Sequence, residues 1–164
     1  MTTVVEIDGA RFLINGRPTC EGVTWQGRSM EGLLMNARMV QAIFDDENPA
    51  TRGVWAYPDT GRWEPERNTD EFCQALPTYR QHGLLAVTVG LQGGGAVFTD
   101  EVYGHYLNSA FTPEGALKPA YMGRMARILE AADEAGMVVI VNYFYWRQAT
   151  RFVDDAAVER AVAE

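Results

Sequence analysis

Apolar positions along the chain alternate between short unbroken runs and stripes of helical spacing. The N-terminus differs: Val5 and Ile7 alternate with polar residues, and an Asp8-Gly9 turn, a second strand (Arg11 to Ile14) and an Asn15-Gly16 turn follow, predicting a small β-hairpin. Cys20 to Trp25 then reads as a short apolar strand, and Leu34, Ala37, Val40 and Phe44 predict a helix within residues 30–45. Trp55 to Trp63 mixes turn residues with large aromatics and reads as a loop. A second helix is predicted from a capping box, Asn68 with Glu71, with Phe72, Ala75, Leu76 and Tyr79 on its apolar face. Gly83 closes it, and Pro77 inside it predicts a kink. Leu84 to Leu91 is a buried strand, and 92–118 a long Gly-, Pro- and aromatic-bearing loop. Pro119 opens a helix carrying Tyr121, Met125, Ile128, Leu129 and Ala132, which Gly136 ends. Met137 to Trp146 is a third strand, and Asp154-Asp155 cap a last helix with Val158, Ala161 and Val162.

The order is therefore a hairpin followed by β-α-β-α-β-α. Strands without clean polar alternation imply a parallel sheet covered by helices, an α/β fold. Helix-to-strand turns are short and strand-to-helix loops long, which points to chemistry at the C-terminal ends of the strands. A doubly wound sheet would carry Gly-x-Gly-x-x-Gly after its first strand, and none is present; Gly93-Gly94-Gly95 has the wrong spacing and reads as a flexible turn. A (β/α)8 barrel takes about 250 residues. The 164 residues here are expected to form one domain, a partial TIM barrel, with 1–19 as its hairpin and 20–164 as about three β/α units.

Charge and composition narrow the chemistry. The net charge of −8 argues against nucleic acid as a partner. No apolar run is long enough to span a membrane, and the N-terminus as written lacks the basic and apolar regions of a signal peptide, so the expected location is cytoplasmic. Thirteen of the basic residues are Arg and one is Lys118, beside Pro119, which disfavours P-loop and Schiff-base chemistry. No cofactor is expected. Cys20 and Cys73 read as reduced core residues. His82, in the last turn of a helix, and His105 have no matched carboxylate spacing, so no metal site is expected.

The segment Arg11-Phe12-Leu13-Ile14-Asn15-Gly16-Arg17-Pro18, running on into Gly22-Val23-Thr24-Trp25, resembles the entry to the barrel of cellulase-like glycoside hydrolases of the large retaining clan. Gly83 to Val89 and Ala135 to Ile140 extend the resemblance over most of the chain. It implies a glycoside hydrolase-like barrel acting on O-glycosidic bonds, in a divergent branch: the clan's Arg on the second strand has no counterpart in Leu84 to Leu91, and Tyr143 to Trp146 stand where a His is frequent. The strands that carry the clan's two catalytic Glu residues have no counterpart here. The acidic groups present (Asp45, Asp46 and Glu47 at a helix end, Asp100 and Glu101 in a loop, Asp154 and Asp155 at a helix start) read as caps or solvated surface. No catalytic residue is assigned, and the chain alone is expected to be inactive.

A carbohydrate site can still be sketched, since sugars are met by aromatic platforms and carboxamide donors. Alternation puts Thr88, Gly90 and Gln92 on one face of the second strand, with Val87, Val89 and Leu91 toward the helices; Asn142, Phe144 and Trp146 share a face of the third. Candidate sugar contacts are Trp25, Gln92, Asn142, Phe144 and Trp146, with Trp55, Trp63 and His105 in the loops. Two rival readings are a non-catalytic carbohydrate-binding or scaffold protein completed by self-association through open sheet edges, and another barrel enzyme with a small polar substrate.

Overall fold

A computed structural model describes residues 3–39, 41–93, 105–145 and 147–163. The chain opens on three antiparallel strands, β1 (Val5–Asp8), β2 (Arg11–Ile14) and β3 (Arg17–Pro18). Asn15 and Gly16 turn β2 into β3 with φ of 52° and 74°, the left-handed pair a tight hairpin needs. A second, two-stranded hairpin follows, β4 (Thr24–Trp25) and β5 (Arg28–Ser29). Then comes the central sheet: β6 (Asn36–Arg38), β7 (Ala86–Gly90) and β8 (Val138–Asn142), all parallel and adjacent in chain order. The helices are α1 (Pro49–Arg52), α2 (Pro65–Gln81), α3 (Pro119–Glu134) and α4 (Asp155–Ala163).

The protein is thus an α/β chain in which β6-α2-β7-α3-β8-α4 repeats strand and helix three times. Among the described residues no helix is long and apolar enough to cross a membrane. One face of the sheet is its core. Val87 and Val89 are fully buried with Leu76 of α2 and Met125 and Ile128 of α3, each such side chain contributing about 1.5–3 kcal/mol by leaving water. The first hairpin lies against the N-terminal ends of the strands. Thr3 Oγ1 donates to the carbonyl of Asp133 (3.2 Å), and Ile14, Asn15 and Pro18 share a hollow with Arg80, Leu85 and Gly136, which directly precede or close the elements there.

Several elements match expectation. The helix α3 starts with Pro119 at its first turn, and α2 and α3 are followed by Gly83 (φ 88°) and Gly136 (φ 64°). Asp154 Oδ1 accepts from Ala157 N at 2.7 Å and caps α4. The first unit differs. Cys20 to Trp25 is not a strand of the parallel sheet: Cys20 sits in a turn with φ 52°, half-buried rather than in the core, and Thr24–Trp25 pairs only with Arg28–Ser29. Residues 30–45 are not a helix; β6 lies there, and its pairing with β7 wins over the helical spacing of Leu34, Ala37 and Phe44. The cap predicted at Asn68 is also displaced. Pro65 starts α2, leaving Asn68 inside it with its carboxamide donating to Gln41 O at 3.0 Å, and the helix is continuous through Pro77. Finally, β8 stops at Asn142, so the strand expected from Met137 to Trp146 ends early.

Candidate functional site

The two faces of the parallel sheet are unlike. In register, Ala37, Val87 and Val139 line up on the helix side, and Arg38, Thr88 and Ile140 on the other. That other face is open: Asn36, Arg38 and Ile140 are exposed, and Thr88, Val138 and Asn142 half-buried. At its C-terminal edge Arg38 stacks on Tyr145, the guanidinium carbon 5.2 Å from the ring centroid. Tyr145 is fixed from behind. Its N–H donates to Gln92 Oε1 (3.2 Å), and its ring packs so close to Gly93 (φ 84°) that a Cβ there would collide with it. Arg147 follows, also with positive φ, a conformation that costs a non-glycine residue energy. Among the described residues this open face carries no Asp or Glu.

Above the strand ends lies a roof built by the segments 41–63 and 105–118. Its hub is Asp46, fully buried. One carboxylate oxygen accepts from Asn48 N (2.9 Å) and Leu107 N (2.9 Å); the other accepts from Thr51 Oγ1 (2.6 Å) and Trp55 Nε1 (2.7 Å). Four donors compensate for the carboxylate's loss of water. Beside it, Asp45 Oδ1 pairs with Arg52 (2.7 Å) and accepts from Trp63 Nε1 (3.1 Å). Burial pushes the Asp45 carboxyl up from its usual pKa, against the opposing pull of Arg52, Arg124 and Trp63. Glu47 Oε2 meets Lys118 Nζ at 2.5 Å. Arg124, almost fully buried, donates from Nε to Ile43 O (3.3 Å) and from Nη1 to Glu66 (2.8 Å), and Thr69 Oγ1 donates to Ala42 O (2.9 Å). The roof is thereby pinned to α2 and α3. Its aromatics pack edge-on around Phe44, with Trp55 at 5.0 Å and Trp63 at 5.4 Å, and Tyr57 stacks flat on Trp63. Burial, with Glu71 next to it, pushes the Tyr57 hydroxyl up to about 12.

The expected site residues are therefore dispersed. Asn142 lies on the open face, directly across from Gly90. Gln92 is buried under the rim, donating to Ser109 Oγ (3.0 Å) and accepting from Tyr145 N. Phe144 turns instead toward the helix side, packed with Phe111 (6.0 Å) and Phe152 (5.8 Å), because the strand has already ended. Trp55 and Trp63 belong to the roof, each with its indole N–H committed to an aspartate. His105 is exposed, and its carbonyl accepts from Asn48 Nδ2 (2.7 Å). Trp25 stands exposed on the β4-β5 hairpin, apart from the rim. Trp146 lies outside the described residues, as do Gly94, Gly95, Asp100 and Glu101.

Asp45 and Asp46 are drawn into the roof instead of lying on solvated surface, just before the Asn48 cap of α1, whereas Glu47 is exposed as expected and pairs with Lys118. Sequence reasoning also missed Arg38, whose signal, an Arg closing an Asn-Ala-Arg run, was absorbed into the expected helix. A cavity enclosed by Glu47, Gln92, Ser109, Lys118, Gln148 and Phe152 holds about 100 Å³, too small for a sugar ring and its surroundings. Among the described residues, no cluster of three His, Cys, Asp or Glu side chains could hold a metal ion. Comparison with protein-family models, curated proteins and solved structures returned no match.

Proposed function

We infer that the chain supplies the first three β/α units of a glycoside hydrolase-like (β/α)8 barrel, and with them one wall of a carbohydrate-binding cleft. The observation that carries this reading is the sheet: three parallel strands in chain order, a hairpin at their N-terminal ends, and an open face whose C-terminal edge holds Arg38, Asn142 and Tyr145. Such a face supplies hydrogen-bond donors beside an aromatic edge, which suits a pyranose. Retaining hydrolysis requires two carboxyl groups about 5 Å apart across the bond. On the rim Asp45 and Glu47 are each tied to a cation, and this wall acts in binding rather than bond cleavage.

The test is calorimetric titration of the chain with hexasaccharides of glucose, xylose, mannose and uronic acids, beside Asn142→Ala. Saturable binding of one class, weakened by the substitution at unchanged melting temperature, is the expected result. Absence of binding to every hexamer contradicts the reading.

A second reading, a binding or scaffold protein completed by self-association, draws on β8. That strand is an edge of the sheet, with Ile140, Val141 and Tyr143 36–40% exposed. Sedimentation velocity separates the two: a dimer that an Ile140→Lys substitution dissociates favours self-association.

A further inference from the structure

We propose that the Arg38–Tyr145 pair, with Asn142 on the same sheet face two strands from Arg38, is a subsite for the carboxylate of a uronic-acid sugar. The proposal rests on the carbohydrate reading above and narrows its substrate class.

Three observations converge on it. First, Arg38 is exposed and among the described residues forms no ion pair, as is true of Arg28, Arg62 and Arg80 as well, but Arg38 alone of these lies on the open face of the parallel sheet. Its partner is the flat face of Tyr145. A guanidinium stacked on a ring keeps its edge free, and that edge presents two parallel N–H donors that match a carboxylate. Second, the stack is held in place. Tyr145 is fixed by Gln92 and seated against Gly93, and Arg38 is anchored by its strand, with Met39 N donating to Thr88 O at 2.8 Å. Tyr145 and the Arg38 backbone are therefore in place before a ligand arrives, which lowers the cost of binding. Third, the charge is local and opposite to that of the chain. Of 22 acidic residues in a protein of net charge −8, none among the described residues stands on this face. The hydroxyls of a neutral sugar are commonly met by carboxylate acceptors; a face that offers a cation and a carboxamide without them suits an anionic sugar better. The carboxylate then meets Arg38, the Asn142 carboxamide meets a ring hydroxyl, and Tyr145 borders the ring.

The experiment titrates the chain with hexamers of galacturonate and of glucuronate and with their methyl esters, which keep the sugar and remove the charge. The expected result is that one acid form binds about tenfold tighter than its ester, a preference lost in Arg38→Gln and partly kept in Arg38→Lys. Added salt weakens the acid form more than the ester. Equal binding of acid and ester overturns the proposal and leaves the carbohydrate reading standing. Binding of neither, nor of any neutral hexamer, overturns both. Competition by inorganic phosphate as effective as that of the free uronate monosaccharide also overturns it, since the site would then recognise an anion without a sugar. Both Arg38 variants are checked by thermal melt, and the lysine variant keeps the charge assignment testable should the glutamine variant lose structure.

Discussion

The two faces of the parallel sheet are made from the same three strands, often from adjacent residues, and do opposite work. Val87 is fully buried against α2 and α3, while its neighbour Thr88 shares a face with exposed Arg38 and Ile140. Burial on one side fixes the backbone, and the other side inherits a rigid row of side chains it does not have to stabilise itself. The proposed site is in this sense separable: the residues that hold the fold and those proposed to meet a ligand lie one position apart along a strand.

That separation is broken most severely from the buried side. Ile128→Ala empties a fully buried position of α3 beneath the strands and is expected to cost about 2–5 kcal/mol in chemical denaturation. The roof comes next. Asp46→Ala leaves the donors of Thr51, Trp55, Asn48 and Leu107 without their acceptor, with an expected loss of at least about 2 kcal/mol and increased amide exchange at Leu107.

A smaller effect lies in the helical layer. Burial of Glu66 is outweighed by Arg124 and Arg127, which hold its carboxyl below the usual 4.5. A depressed carboxylate contributes stability above its unfolded value and loses it as pH falls through the folded one. Glu66→Gln should therefore melt lower than the parent at pH 7, and the gap should close as the pH falls below about 4.5. Glu66 is more than half exposed, so the gap stays under about 1 kcal/mol. Smallest of all in stability is Arg38→Ala, expected to lie within about 0.5 kcal/mol of the parent in urea denaturation while ligand binding falls.

The same contrast explains what the sequence disclosed. The strand β7 and helix α3 were legible because burial, Pro119 and Gly136 all point the same way. The first unit was not. With only Asn36, Ala37 and Arg38 in β6, no alternation can develop, and the apolar spacing on either side imitates a helix. Arg38 was lost with it. Asn142 was placed on the open face because period-two alternation holds to the end of β8, and Phe144 was misplaced because it does not hold beyond. The sequence suggests only a cap or solvated surface at Asp46, because its partners reach it through tertiary structure, from Trp55 and from Leu107 across the roof. Trp55 and Trp63 have the composition of stacking platforms, yet the aspartates that claim their indoles were visible only in three dimensions.

The central claim, that the open face at the strand C-terminal ends is the surface that meets carbohydrate, is tested most directly by nuclear magnetic resonance. The chain, labelled with nitrogen-15 and with methyl carbon-13, is titrated with the galacturonate and glucuronate hexamers and the neutral hexamers. The account predicts saturable shifts at the Arg38 Nε–H, the Thr88 amide and the Asn142 carboxamide, with the methyl groups of Val87, Val89 and Ile128 unmoved. Shifts confined to the Trp25 hairpin or to the helix side, or none with any hexamer, would contradict it.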